Sequence, residues 1–450
     1  MNVVIQPHGL QGTVSAIASK SMAHRLLILA ASTSAIVDIN CSSTSDDIQA
    51  TIECLEALGA CITRTTLGYR VRGMFFASQS SLTDTKATFT DNSSTTGDTP
   101  AILNCGESGS TLRFMLPVVA ALGKHAYLVG QGRLATRPLE PLYSELCAHG
   151  CFLSEQGSFP LEIKGKLSGG VFHIPGNVSS QYISGLLLAA GIAQLHLEII
   201  VSKPFESKSY VKMTIDALEQ FGINVAQTQE HDDQGQEFIR FSVDKQTLSL
   251  PRQSLTVEGD WSGAGFWLCA AALGNPLRMS GLSLTSSQGD KAILACLAAF
   301  GARTQKTASY IEVGSKALRP ATLPLDDIVD LAPPLAALAC FANGTTKLTH
   351  ASRLRLKESD RILSITTTLQ NMGADISSDA DTIYIHGHGM LDGGEVECFR
   401  DHRIAMMATI AAAYAQHPTT IHGAECVRKS YPTFFEDFVQ LGGYLETKDD

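Results

Sequence analysis

Lys20, Ser21 and Arg25 fall within two helical turns at the head of an apolar segment, SKSMAHRLLILAAS. Ser21 offers a hydroxyl and a backbone N–H, and Arg25 returns to the same helical face four or five residues on. A second start, CGESGSTLR, sets Gly106, Ser108, Gly109, Ser110 and Thr111 as a backbone-lined anion nest before a helix. It lacks the GK[ST] ending of a nucleotide P-loop, so a nucleoside triphosphate is not implied. GQGRLATRPLEPL adds Arg133 and Arg137 on a proline-terminated loop, and NVSSQYISG adds Ser179, Ser180 and Gln181, donors suited to a phosphate or polyol. ESKSYVKMT supplies Ser207, Lys208 and Tyr210.

The second half carries carboxylates beside cations. Asp330 heads DLAPPLAALACFA, where an acidic N-cap is the plain reading. RLRLKESDRI packs Arg353, Arg355, Lys357, Glu358, Asp360 and Arg361 together; DHRIAMM gives Asp401, His402 and Arg403; VRKSYP gives Arg428 and Lys429. Each cluster alone also fits a capped helix or a solvated, salt-bridged face. Together they weigh more, because they recur at equivalent places in a repeated unit. Lys20, Arg25, Arg133, Arg361, Arg403 and Lys429 could hold two multiply charged anions, and arginine's planar fork suits carboxylate and phosphate.

The repeat is a helix-like run that ends in glycine and passes into a strand. Its six glycines are Gly59, Gly150, Gly222, Gly301, Gly373 and Gly442, each placed for a left-handed C-cap. Interleaved with these runs are six helices apolar all round, which must be buried. If their polar starts share one side, several positive dipole ends face one cavity. Three copies precede residue ~245 and three follow it, so two similar halves with a cleft between them are expected. SLPRQSLTVEGD bridges the halves, with Pro251 suited to a linker. Residues 84–100 and QEHDDQGQE (229–237) read as surface loops or hairpins, and TVEGD (256–260) and VFHIPG (171–176) as strands leading into buried helices.

The chain has 450 residues and a net charge of −10, which disfavours a nucleic-acid surface but not a local anion site. Eleven cysteines without framework spacing, and MNVVIQP running directly into strand-like sequence, point to a reduced, cytoplasmic setting. No apolar run is long enough to span a membrane. Cys147, His149 and Cys151 form a metal-like cluster, but nothing completes four ligands, so no metal is expected.

At this point the chain resembles the EPSP synthase family along essentially its whole length. The resemblance rests on KSMAHR, GESGSTLR, GRLATRP, SSQ, SKSY, DLAPP, RLKESDR, DHRIAM and KSYP, in order and with matching spacing. It implies an α/β fold of two similar domains, each of three βαβαββ units with buried helices, hinged around a cleft. Residues 19–248 would form one domain and 1–18 plus 249–450 the other. It implies transfer of the enolpyruvyl group of phosphoenolpyruvate to the 5-hydroxyl of shikimate 3-phosphate, without a cofactor or metal, by a protein expected to be monomeric.

By the same resemblance, Lys20, Ser21, Arg25, Ser179, Ser180, Gln181, Ser207, Tyr210, Asp330 and Lys357 would hold shikimate 3-phosphate. Lys20, Gly109, Arg133, Gln181, Arg361, Arg403 and Lys429 would hold phosphoenolpyruvate. Asp330 would accept the hydroxyl proton, Glu358 would give a proton to C3 of phosphoenolpyruvate, and Lys20 would be their charged partner. Glyphosate would compete with phosphoenolpyruvate.

Three positions depart from the family pattern; one is Ser110, which replaces a common Thr. Glu107 stands where many members carry Asn, and must point away or pair with an arginine. Arg353 stands where some use Asn toward the substrate phosphate. Rival readings are a UDP-N-acetylglucosamine enolpyruvyl transferase, an RNA-phosphate cyclase and a non-catalytic anion-binding protein. GQGRLATRP lacks the loop cysteine of the first, and net charge disfavours the second. A pure anion binder has no use for carboxylates facing anions.

Overall fold

The computed structural model describes residues 1–76, 99–250, 252–314 and 316–448. The stretch at 84–100, but for its last two residues, and Pro251 lie outside the described residues. The strands of the described residues form six four-stranded sheets. In one of them, strand Gly170–Pro175 runs parallel to Leu197–Ser202 and is joined to it through helix Ser180–Ala193. Helix Lys208–Gln220 and the hairpin Ala226–His231/Glu237–Val243 complete the unit, antiparallel to the second strand. The acidic stretch 229–237 is the end of this hairpin, with 232–236 as its turn.

The other five sheets repeat the order, one parallel and two antiparallel pairings each. All six marker glycines have positive φ, from +76° to +110°. That conformation ends each helix and turns the chain into its strand at little steric cost.

Two units exchange their opening strands. Gly12–Ser15 leads into helix Lys20–Ala31 but pairs with Leu277–Ser280, while Ser254–Thr256 leads into helix Trp261–Leu273 but pairs with Ile36–Asn40. Asn2–Gln6 completes the last sheet, between Thr419–His422 and Tyr444–Lys448. The expected strand TVEGD is therefore a strand only at Thr256; Val257–Asp260 form the crossing. The two crossings are stitched together. Ala18 bridges Gly259, the Ser19 N–H donates to the Glu258 carbonyl at 2.8 Å, and the Asp260 N–H to the Ile17 carbonyl at 2.8 Å.

Two hydrophobic cores result, one built from Ala18 to Val257 and the other from Val3–Val14 with Trp261–Leu441. The strand at 254–256 thus adds to the first core's sheet from beyond residue 248. Each core is centred on three of the apolar helices: 20–31, 109–122 and 180–193 in the first, 261–273, 332–340 and 402–412 in the second. Ser19, Ser108, Ser179, Asp260 and Asp401 cap five of them with their side chains. The sixth differs: Asp330 lies in a 3-10 turn, Val329–Leu331, ahead of Pro333 and Pro334, and makes no cap.

Candidate active site

The helix starts converge on one cavity between the cores, about 930 Å³ with its open mouth included. Lys20 and Ser21, Ser110, Ser180 and Gln181, and His402 and Arg403 all come from the first turns of buried helices, and Asp330 from the turn before another. Four helix N-termini therefore add partial positive charge to a wall already cationic. Six arginines (25, 113, 137, 353, 361 and 403) and two lysines (20 and 357) line it, against the carboxylates of Asp330 and Glu358.

Arg361 organises those carboxylates. Its guanidinium, 1% exposed, reaches Asp330 Oδ1 at 2.8 Å, Glu358 Oε2 at 2.7 Å and Asp401 Oδ2 at 2.8 Å. Asp330 also accepts from Tyr210 Oη at 2.8 Å and Lys357 Nζ at 3.3 Å, and Arg403 Nη2 stands 3.5 Å away. Burial would raise the Asp330 carboxyl, but Arg403, Lys357, Arg361 and the Tyr210 hydrogen bond hold it well below the usual carboxylate range. Glu358 behaves alike: burial works upward, and Arg361 and Arg137 hold it well below 4.5. Burial, with Arg361 adding to it and Asp330 opposing, pushes Lys357 down to about 8. His402 is kept neutral by burial and the nearby Lys20 charge, down to about 3, and neither ring nitrogen has a hydrogen-bond partner among the described residues.

The first core supplies the rest. Arg25 spans Ser21 O, Thr214 Oγ1, Ser184 Oγ and Tyr210 O and so fixes the cavity floor. Lys20 Nζ pairs with Asp47 at 2.7 Å. Gln181 donates to Ser110 Oγ at 2.9 Å and accepts from Arg113 Nη1 at 2.8 Å, which ties helix 180–193 to helix 109–122. Ser179, Ser180 and Ser207 line the wall nearby, and Arg353 reaches across from the second core to Ser207 Oγ at 2.8 Å and Glu206 at 3.2 Å.

Two expectations change. Arg133 is exposed at the outer start of the turn Leu134–Thr136 and does not line the cavity; Arg137, at the inner end of that turn, does, 3.8 Å from Glu358. Glu107 neither points away nor pairs with an arginine: it pairs with Lys429 of the other core. That pair stands at the cavity's margin, outside its lining. Gly109 sits beside Arg137, where an added Cβ would lie 2.7 Å from the Arg137 Cζ.

Arg113 belongs to the same helix start as the anion nest that includes Ser110, but the sequence gives it no role of its own. Ser110 and Arg113, three residues apart on helix Gly109–Leu122, share one face, and that spacing is the signal available. Tyr182, whose hydroxyl donates to the Pro138 carbonyl at 2.5 Å, carried none. At the suspected metal cluster, His149 stacks on Phe172 at 3.8 Å and donates to the Glu145 carbonyl. Among the described residues, no helix is long and apolar enough to cross a membrane.

Comparison with known proteins finds relatives along nearly the whole chain. Residues 4–438 match the family model described as EPSP synthase (3-phosphoshikimate 1-carboxyvinyltransferase). The chain is 37% identical to the 3-phosphoshikimate 1-carboxyvinyltransferase of Clostridium kluyveri, over 99% of this chain and 98% of that protein. It is 36% identical to the protein of that name from Clostridium perfringens strain 13, over 98% and 99%. In three dimensions it resembles EPSP synthase from Acinetobacter baumannii, with a TM-score of 0.75, 25% identity and 99% and 100% coverage. It shares its fold with the enolpyruvyl transferase NikO from Streptomyces tendae, with a TM-score of 0.74, 18% identity and 100% and 99% coverage.

Proposed function

The chain belongs to the EPSP synthase family of 3-phosphoshikimate 1-carboxyvinyltransferases, and we infer that its cleft transfers the enolpyruvyl group of phosphoenolpyruvate to the 5-hydroxyl of shikimate 3-phosphate. The observation that carries the assignment of roles is Asp330 and Glu358 held by one buried arginine in an otherwise cationic cavity. A site built only to bind two anions gains nothing from carboxylates that repel them. A site that must take a proton from a hydroxyl and give one to carbon needs both.

In this reading shikimate 3-phosphate lies toward Ser21, Arg25, Ser179, Ser180, Ser207 and Arg353, with its hydroxyls near Asp330, Tyr210 and Lys357. Phosphoenolpyruvate lies toward Gly109, Arg137, Arg361, Arg403 and Lys429, and Lys20 and Gln181 reach both. Asp330, ionised at neutral pH, accepts the 5-hydroxyl proton as that oxygen adds to C2. Glu358 first takes a proton when the ligand anions neutralise Arg361 and Arg137, and passes it to C3. The tetrahedral adduct then loses phosphate as C3 returns its proton, and the arginines stabilise the leaving anion. Closure of the two halves, with domains near 19–248 and 1–18 plus 249–450, keeps water from the adduct.

The net charge of −10 supports small-molecule substrates rather than nucleic acid, and the same reading takes the enzyme as cytoplasmic, monomeric and independent of cofactor and membrane. Phosphate release from phosphoenolpyruvate in chelator, with shikimate 3-phosphate or UDP-N-acetylglucosamine as acceptor, tests it. Release only with shikimate 3-phosphate is expected; release only with the UDP-sugar, or with neither, overturns it.

A further inference from the structure

Glu107 occupies a fitted position at the margin of the cavity. It lies two residues before Gly109, in the loop between strand Ala101–Asn104 and helix Gly109–Leu122. Its carboxylate packs over Gly132, where a Cβ would stand 2.5 Å from Oε1, so the glycine leaves room for it. The loops bearing these two residues are tied by the Gln131 N–H to the Gly106 carbonyl at 2.7 Å. On its open side the carboxylate meets Lys429, which comes from the other core and sits at the end of the 3-10 turn Ala424–Lys429. The ammonium is also held by the Arg400 carbonyl at 2.9 Å. Both side chains are largely screened from water, at 14% exposure for Lys429 and 25% for Glu107. The pair is thus a partly buried contact, with more electrostatic weight than an exposed surface pair.

We propose that Glu107 is an internal competitor for the phosphoenolpyruvate anion: its carboxylate holds Lys429 across the cleft, and the incoming ligand must displace it. This rests on the functional reading, in which Lys429 serves phosphoenolpyruvate. A neutral side chain at 107 leaves that lysine to the ligand, whereas Glu107 makes each binding event break an existing ion pair first. Glu107 therefore tunes affinity for one substrate only, since the opposite end of the cavity is lined by Ser179, Ser207 and Arg353.

The test is Glu107→Gln, which keeps the shape and removes the charge, compared with wild type at fixed salt. The KM for phosphoenolpyruvate should fall roughly three- to tenfold, with kcat and the KM for shikimate 3-phosphate within about twofold. The Kd of phosphoenolpyruvate, measured by calorimetry on enzyme saturated with shikimate 3-phosphate, should fall in parallel. An unchanged or raised KM and Kd overturns the proposal, since Glu107 would then be a bystander or would orient Lys429 for the ligand. Failure of the functional reading is seen separately, as wild type that releases no phosphate with shikimate 3-phosphate; the calorimetric arm needs no turnover.

Discussion

Nη2 of Arg361 lies 2.7 Å from Oε2 of Glu358, three positions earlier in the chain, and this contact keeps ionised the carboxyl that we propose carries a proton to carbon. The conflict resolves if the ligand anions take over Arg361 and Arg137. Burial then dominates at Glu358, its pKa rises, and the enzyme takes up a proton as phosphoenolpyruvate binds. At pH 8, where phosphate monoesters are already dianionic, calorimetry in two buffers of different ionisation enthalpy should show this uptake on the shikimate 3-phosphate complex. Glu358→Gln should lose most of it. Equal buffer dependence in the two proteins would remove Glu358 from the proton path.

Lys357 sets an alkaline limit. With its pKa near 8, it is cationic below that pH and neutral above it, so the free enzyme loses a cation facing Asp330 as pH rises. The kcat/KM for shikimate 3-phosphate should bend near pH 8 and fall by up to about tenfold per pH unit above it. The limb should be weaker in kcat, because the bound anion favours the charged amine. A flat profile to pH 9.5 would exclude Lys357 from recognition.

Gly109 tests the phosphoenolpyruvate end. A methyl there must displace the Arg137 guanidinium. Glyphosate, with a phosphonate and a carboxylate for the same cations, should inhibit wild type competitively with phosphoenolpyruvate at roughly micromolar concentration. Gly109→Ala should weaken that inhibition and raise the KM for phosphoenolpyruvate. Equal tolerance in both proteins would place glyphosate elsewhere.

Asp401 is fully buried, caps helix 402–412, and receives Arg361 and Ser359. Asp401→Ala leaves a buried guanidinium short of one carboxylate and a helix without its cap. It should lower stability by about 3–5 kcal/mol, read from urea midpoints. A loss under about 1 kcal/mol would mean that water reaches Arg361 freely.

What could be read from the sequence follows from locality. The six glycine-ended helices were legible because a C-cap and an apolar helix are written in adjacent residues. The cavity-lining starts at Lys20, Ser179 and Arg403 are legible for the same reason. The exchange of strands 12–15 and 254–256 was not, because a short strand does not encode which distant edge it joins. Arg133 and Arg137 sit in one loop, and only the turn between them decides which faces inward. Glu107 and Lys429 lie 322 positions apart, so their pairing appears only when the halves meet. Asp330 reads as a cap, yet its partners Tyr210, Lys357 and Arg361 draw it into the cavity instead.

The most direct measurement is turnover of phosphoenolpyruvate and shikimate 3-phosphate in deuterium oxide, with the product's vinyl methylene read by mass spectrometry or NMR. Addition with protonation at C3, followed by loss of one of three methyl hydrogens, should place solvent deuterium in that methylene. Asp330→Ala and Glu358→Ala should still bind both ligands while losing roughly 10²–10⁴-fold in turnover. Product formed at the normal rate with an unlabelled methylene, or near-normal turnover in either variant, would contradict the addition and elimination through these two carboxylates.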